Sequence, residues 1–125
     1  MTSLKEMLSS ANSDVPKITA EEARELIGGR DALLLDVRDP SEVSQSGMLK
    51  GALNVSRGML EFRADPDSSY HDPEFRPERP VVTYCASGGR SALAGKTLSD
   101  MGYAEIYNLG GFKEAVDSGF PQEAP

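Results

Sequence analysis

The chain has 125 residues, 38 % hydrophobic and 26 % charged, with a formal net charge of −7. That length makes one domain, able to bury roughly 65–70 % of its unfolded surface. The acidic balance and the lack of any Lys/Arg run exclude nucleic acid and an anionic membrane surface as expected partners, because both need clustered cations.

No stretch approaches the ~20 apolar residues of a membrane span. The opening Met1-Thr2-Ser3-Leu4-Lys5-Glu6 lacks the pattern of a secretory signal. The single cysteine, Cys85, cannot form an internal disulfide, so a cytoplasmic setting is expected. With the single histidine, His71, it cannot fill a four-ligand zinc site without carboxylates; no metal is expected.

Leu4, Met7, Leu8 and Ala11 recur at helical spacing, and Asn12-Ser13-Asp14-Val15-Pro16 breaks the pattern. Residues 1–15 thus read as an N-terminal helical extension and 16–125 as the domain proper. Thr19-Ala20-Glu21-Glu22 has the form of a capping box, and Gly28-Gly29 is expected to stop the helix it opens. Ala32-Leu33-Leu34-Leu35-Asp36-Val37 reads as a buried strand, Ala52-Leu53-Asn54-Val55 as a weaker one, and 57–63 as a short helix.

Residues 64–80, rich in Pro, Asp, Ser and Arg, read as a long surface loop. The apolar run Pro80-Val81-Val82-Thr83-Tyr84 is a strand that ends at Cys85. A helix is expected from about Ser91 to Met101, stopped by Gly102; a strand follows over 104–109, then a last helix through Val116. Strands alternating with helices argue an α/β domain with a mostly parallel sheet. Ligands of such sheets sit outside the carboxyl ends of the strands, where Cys85 falls.

Cys85-Ala86-Ser87-Gly88-Gly89-Arg90-Ser91 is therefore the segment to watch. Small residues let the backbone curl around the sulfur, with Ala86, Ser87, Gly88, Gly89 and Arg90 offering N–H groups as an anion-binding nest. The helix after it adds a partial positive charge, which favours thiolate. Arg90 supplies a permanent charge and a planar donor fork. It can hold an oxyanion beside the sulfur or pair with a carboxylate and brace the loop. Ser91 is expected to cap its helix.

A Cys–His mechanism is disfavoured, since His71 lies in the polar loop Ser69-Tyr70-His71-Asp72-Pro73. Asp36, at the end of its strand, can face Arg90 or the loop. Arg38 and Glu42, four apart, can pair if the chain turns helical after Pro40. Structural bracing is the expected role of all three.

Three ordered segments resemble the rhodanese (thiosulfate sulfurtransferase) domain: Asp36-Val37-Arg38 with Glu42, Gly51-Ala52-Leu53-Asn54-Val55, and Cys85 through Ser91. Tyr107-Asn108-Leu109-Gly110-Gly111-Phe112 and Gly119-Phe120-Pro121 fit as well, so the likeness covers roughly 16–123. It implies a three-layer fold with a five-stranded, mostly parallel sheet and helices on both faces. It also implies that Cys85 carries sulfane sulfur as a persulfide, without a cofactor. The partners would be a small sulfur-containing anion as donor and a thiol, cyanide or carrier protein as acceptor.

The chain departs from the family's Gly-His-Ile-Pro-Gly-Ala at Gly47-Met48-Leu49-Lys50-Gly51-Ala52. It also lacks a tryptophan in the last helix, near Ala115 and Val116. Four residues separate Cys85 from Arg90, the sulfurtransferase spacing; dual-specificity phosphatases of the same fold have five. The rival readings are a non-catalytic or regulatory binding module of this fold and, less favoured, a phosphatase or arsenate reductase.

Overall fold

A computed structural model describes residues 1–125. In chain order the elements are α1 (Leu4–Asp14), α2 (Ala20–Arg30), β1 (Leu33–Asp36), α3 (Pro40–Ser46), β2 (Met48–Leu49) and β3 (Leu53–Asn54). A 3-10 turn over Arg57–Met59 leads into α4 (Leu60–Ala64). Then come β4 (Val81–Cys85), α5 (Gly89–Asp100), β5 (Ile106–Gly111), α6 (Phe112–Asp117) and β6 (Gln122–Glu123). The central sheet is parallel throughout, in the order β3-β1-β4-β5.

Strand parity sorts the core into two layers. Side chains alternate across a sheet, so Leu33 and Leu35 of β1 and Val81 and Cys85 of β4 share one face. That face packs against Val15, Leu60, Ala94 and Leu98 from the helices. Leu34, Val82 and Tyr84 point the other way, against Ala20, Ala23, Ala115 and Phe120. The central strands are buried along their whole length, as expected of a parallel sheet covered on both faces. Each fully buried leucine contributes about 1.5–3 kcal/mol.

The α/β class, the parallel sheet and the helices on both faces are as expected; the central sheet has four strands, not five. The fifth place, beside β5, is taken by a single parallel bridge from Lys17 to Asn108. Asn108 N–H donates to Pro16 O at 2.9 Å and Ile18 N–H to Asn108 O at 3.1 Å. Pro16 has no N–H to extend the ladder, and Thr19 already caps α2. Strands β2 and β6 form a separate antiparallel pair, too short to leave a periodic signal in the sequence.

Helix α1 is docked, with Ala11 and Val15 fully buried. Gly95 of α5 makes room for it: a Cβ there would lie 2.9 Å from Val15 and 3.0 Å from Ile106. The capping box at Thr19 and Glu22 is present. Gly28-Gly29, however, does not stop α2, which runs on to Arg30 and ends at Asp31 in the left-handed conformation (φ 53°). Arg79 fixes that turn, its Nε donating to Asp31 O at 2.6 Å.

The 64–80 segment is a loop, but not merely a surface one. Phe75 is 1 % exposed and meets Tyr103 edge to face at 6.3 Å. Arg79 ties the loop to Asp31 and braces it internally through Glu74.

Candidate active site

The sulfur sits where β4 ends and α5 begins. Parity carries Cys85 onto the α5 face of the sheet, and the chain reverses through Ala86, Ser87 and Gly88 into the helix. Gly88 has φ 104°, a conformation other residues rarely adopt, and its N–H turns inward to donate to Cys85 Sγ at 3.0 Å. Ala86 and Ser87 are exposed, while Cys85 is 1 % exposed.

Ser91 does not cap α5. The helix starts at Gly89 behind Gly88, which puts Ser91 in its first turn, fully buried. Ser91 Oγ lies 3.4 Å from Cys85 Sγ and donates to Asn108 Oδ1 at 2.7 Å. Burial pushes the Cys85 thiol up. The Ser91 hydroxyl and the main-chain N–H groups of Ser91, Gly88 and Ser87 outweigh it, leaving the thiol below its ordinary value.

Asn108 was not singled out in the sequence, yet it organises this corner. Its Oδ1 also accepts from Gly110 N–H at 2.9 Å, and its Nδ2 donates to Gly88 O at 3.2 Å. The β4–β5 register shifts between Thr83 and Tyr84, so Asn108 stands opposite Thr83 and Gly111 opposite Cys85. Such irregularities re-aim side chains next to active sites. A signal for Asn108 existed: Ile106, Asn108 and Gly110 form the buried phase of β5, and an amide there needs partners.

The two arginines exchange the partners suggested by spacing. Arg90 makes a two-pronged pair with Glu42, Nη1 to Oε2 at 2.7 Å and Nη2 to Oε1 at 2.8 Å. The Arg90 guanidinium holds Glu42 down to about 2, against an opposing push from partial burial, and Glu42 in turn raises Arg90. Asp39 N–H donates to Glu42 Oε2 at 2.8 Å, so the carboxylate is fixed from α3 as well.

Arg38 is 2 % exposed and pairs with Asp36 rather than Glu42, Nη2 to Oδ2 at 2.8 Å. It also donates to Ser46 Oγ and Gly47 O, and lies 4.3 Å over the Phe112 ring. Asp36 therefore does not face Arg90. It shares the Tyr84 face of the sheet, opposite to Cys85. His71 bonds to Phe75 O within its own loop.

An α/β/α domain with one buried, dipole-cradled thiol at the carboxyl end of a central strand is the class that fold and site define. A family model described as Rhodanese-like domain matches residues 19–118. The uncharacterized protein YqhL of Bacillus subtilis is 41 % identical over 98 residues, covering 78 % of this chain and 69 % of YqhL. A sulfurtransferase of Allochromatium vinosum is 35 % identical over 104 residues, covering 82 % of this chain and 89 % of its own.

Two solved structures are similar over 97 % of the chain. One is a Rhodopseudomonas palustris protein of unknown function described as a possible tyrosine phosphatase, with 42 % identity, TM-score 0.87 and 94 % of its own chain covered. The other is the polysulfide-sulfur transferase homodimer of Wolinella succinogenes, with 34 % identity, TM-score 0.76 and 87 % covered. The chain belongs to the rhodanese-like family.

Proposed function

We propose that the protein is a sulfurtransferase that moves sulfane sulfur from a donor to a thiophilic acceptor through a persulfide on Cys85. The observation that carries this reading is the lone thiol held by Gly88 N–H at 3.0 Å and by Ser91, and shifted toward thiolate. In the first step the Cys85 thiolate attacks the outer sulfur of the donor. The donor's sulfur–sulfur bond breaks and its inner group leaves with the electron pair; from thiosulfate the leaving group is sulfite.

The N–H groups of the 86–90 loop, with Gly88 N–H already turned to the sulfur, and the start of α5 then hold the negative terminal sulfur. In the second step a thiolate or cyanide attacks that sulfur and Cys85 returns as thiolate. This chemistry needs neither metal nor cofactor. The active-site residues are Cys85 as nucleophile and the 86–90 loop as binding cradle. Asp36, Arg38 and Ser91 support them.

The likeness to a possible tyrosine phosphatase makes phosphate-ester hydrolysis the second reading. The ring closed by four residues between Cys85 and Arg90 favours a single transferred sulfur over a tetrahedral phosphate.

Incubation with thiosulfate or a persulfide should add one sulfur atom to the intact mass, and cyanide should remove it. Cys85→Ser should take up none while melting like the wild type. No adduct with any sulfane donor, together with turnover of a small aryl phosphate, would replace this reading with the second.

A further inference from the structure

Arg90 is the natural candidate to receive the sulfonate end of a donor, yet the structure gives that guanidinium to a carboxylate. Both terminal nitrogens bond to Glu42. Glu42 is held in turn by Asp39 N–H, and the 33–37 % exposure of the two side chains places the pair at the surface of the site. Cys85, Asp39 and Glu42 all act on Arg90 through their charge. The Arg90 cation is thus already balanced by a carboxylate. Of the other arginines near this end of the sheet, Arg38 is buried against Asp36 and Arg57 pairs with Glu61.

We propose that Glu42 is a specificity-determining residue: by occupying Arg90 it turns the site from doubly charged donors such as thiosulfate toward low-charge sulfane donors of the organic persulfide class. This rests on the sulfur-transfer reading above. The favoured loading step is attack of the Cys85 thiolate on the outer sulfur of R–S–SH. The Sγ–S bond forms, the donor's S–S bond breaks, and R–S⁻ departs with the electron pair, leaving the persulfide Cys85 Sγ–SH. No oxidant or reductant is consumed.

A dianion approaching a thiolate and a fixed carboxylate meets repulsion that one free guanidinium would cancel. Removing one unit charge about 6 Å away in water is worth about tenfold in the affinity of a dianion and about threefold for a donor with one charge.

The test is Glu42→Gln, assayed with cyanide as acceptor and either thiosulfate or an alkyl hydropersulfide as donor. Glu61→Gln serves as control: it removes a surface carboxylate paired with Arg57 and makes the same change in net charge. The expected result is a KM for thiosulfate lowered about tenfold in Glu42→Gln and a persulfide KM lowered by no more than about threefold, with both KM values of Glu61→Gln within about twofold of wild type. An unchanged thiosulfate KM, an equal change for both donors, or the same effect from Glu61→Gln overturns the proposal.

Wild type alone gives a second measurement, should the variant fail to fold. Sulfate should protect Cys85 from iodoacetamide no better than nitrate at equal concentration, and stronger protection by the divalent anion overturns the proposal. Failure of wild type to load sulfur from either donor would instead remove the underlying sulfur-transfer reading.

Discussion

Replacing Ser91 with alanine separates the two sources of thiolate stabilisation, side chain and main chain. Ser91 Oγ lies 3.4 Å from Cys85 Sγ and donates to Asn108 Oδ1 at 2.7 Å. A hydroxyl has one proton, so it serves the thiolate only by leaving the amide oxygen. A hydrogen bond to a charged acceptor is worth about 1.5–3 kcal/mol, and the neutral bond given up about 1 kcal/mol. The net loss on Ser91→Ala is then about 0.5–2 kcal/mol against the thiolate, or roughly one pKa unit upward at 1.36 kcal/mol per unit.

The fold should survive, because Asn108 Oδ1 keeps its bond from Gly110 N–H. The assay is thiolate absorbance near the far ultraviolet edge against pH, checked by the rate of iodoacetamide alkylation. Below the wild-type midpoint, alkylation should slow by about tenfold. An unchanged or lowered midpoint in a variant with wild-type circular dichroism would refute the reasoning. It would mean that the main-chain N–H groups of Gly88, Ser91 and Ser87 do the work alone.

Arg38→Met leaves Asp36 buried without its cation and should cost about 3–5 kcal/mol in urea unfolding; a loss under about 1 kcal/mol would show that the carboxylate finds water. Gly95→Ala should crowd Val15 and Ile106 and destabilise by about 1–3 kcal/mol before helix propensity returns part of it; in a Val15→Ala background the crowding penalty should largely vanish. Glu42 is depressed to about 2 in the folded protein, against ~4.3 unfolded, so folding releases protons. The stabilisation it gives over Glu42→Gln should be complete above about pH 5 and fade as the pH falls toward about 2, measured as the difference in urea midpoints; a difference that grows on acidification contradicts the pairing.

The elements that came through from sequence are those whose signal is local. The capping box at Thr19 and Glu22, the apolar runs of β1 and β4, and the glycines after Cys85 each declare themselves within a few residues. What stayed hidden depends on contacts between distant segments. Leu49 is fully buried and its N–H donates to the Tyr84 hydroxyl, yet β2 exists only because residues 122–123 return to pair with it. Phe75 looked like part of a polar loop, and Tyr103 beneath it, distant in sequence, anchors the loop in the core. Gly28 and Gly29 looked like a helix stop, but Leu26 and Ile27 pack against the core and carry α2 past them.

The exchange of arginine partners follows from where α3 begins. Helical i,i+4 spacing brings residues together only inside a helix, and Arg38 lies two residues before Pro40, outside it. Its neighbour is then Asp36, whose carboxylate accepts both Arg38 N–H at 2.9 Å and the guanidinium. Glu42, relieved of Arg38, points from the first turn of α3 toward the loop and meets Arg90. Parity of the strands does the rest. Asp36 ↔ Tyr84 is a registered pair, so the acid that ends β1 and the thiol that ends β4 fall on opposite faces of one sheet. The buried pair around Arg38 therefore ties the end of β1 to Ser46 and Gly47 beneath Phe112, while Glu42 is the carboxylate that meets Arg90.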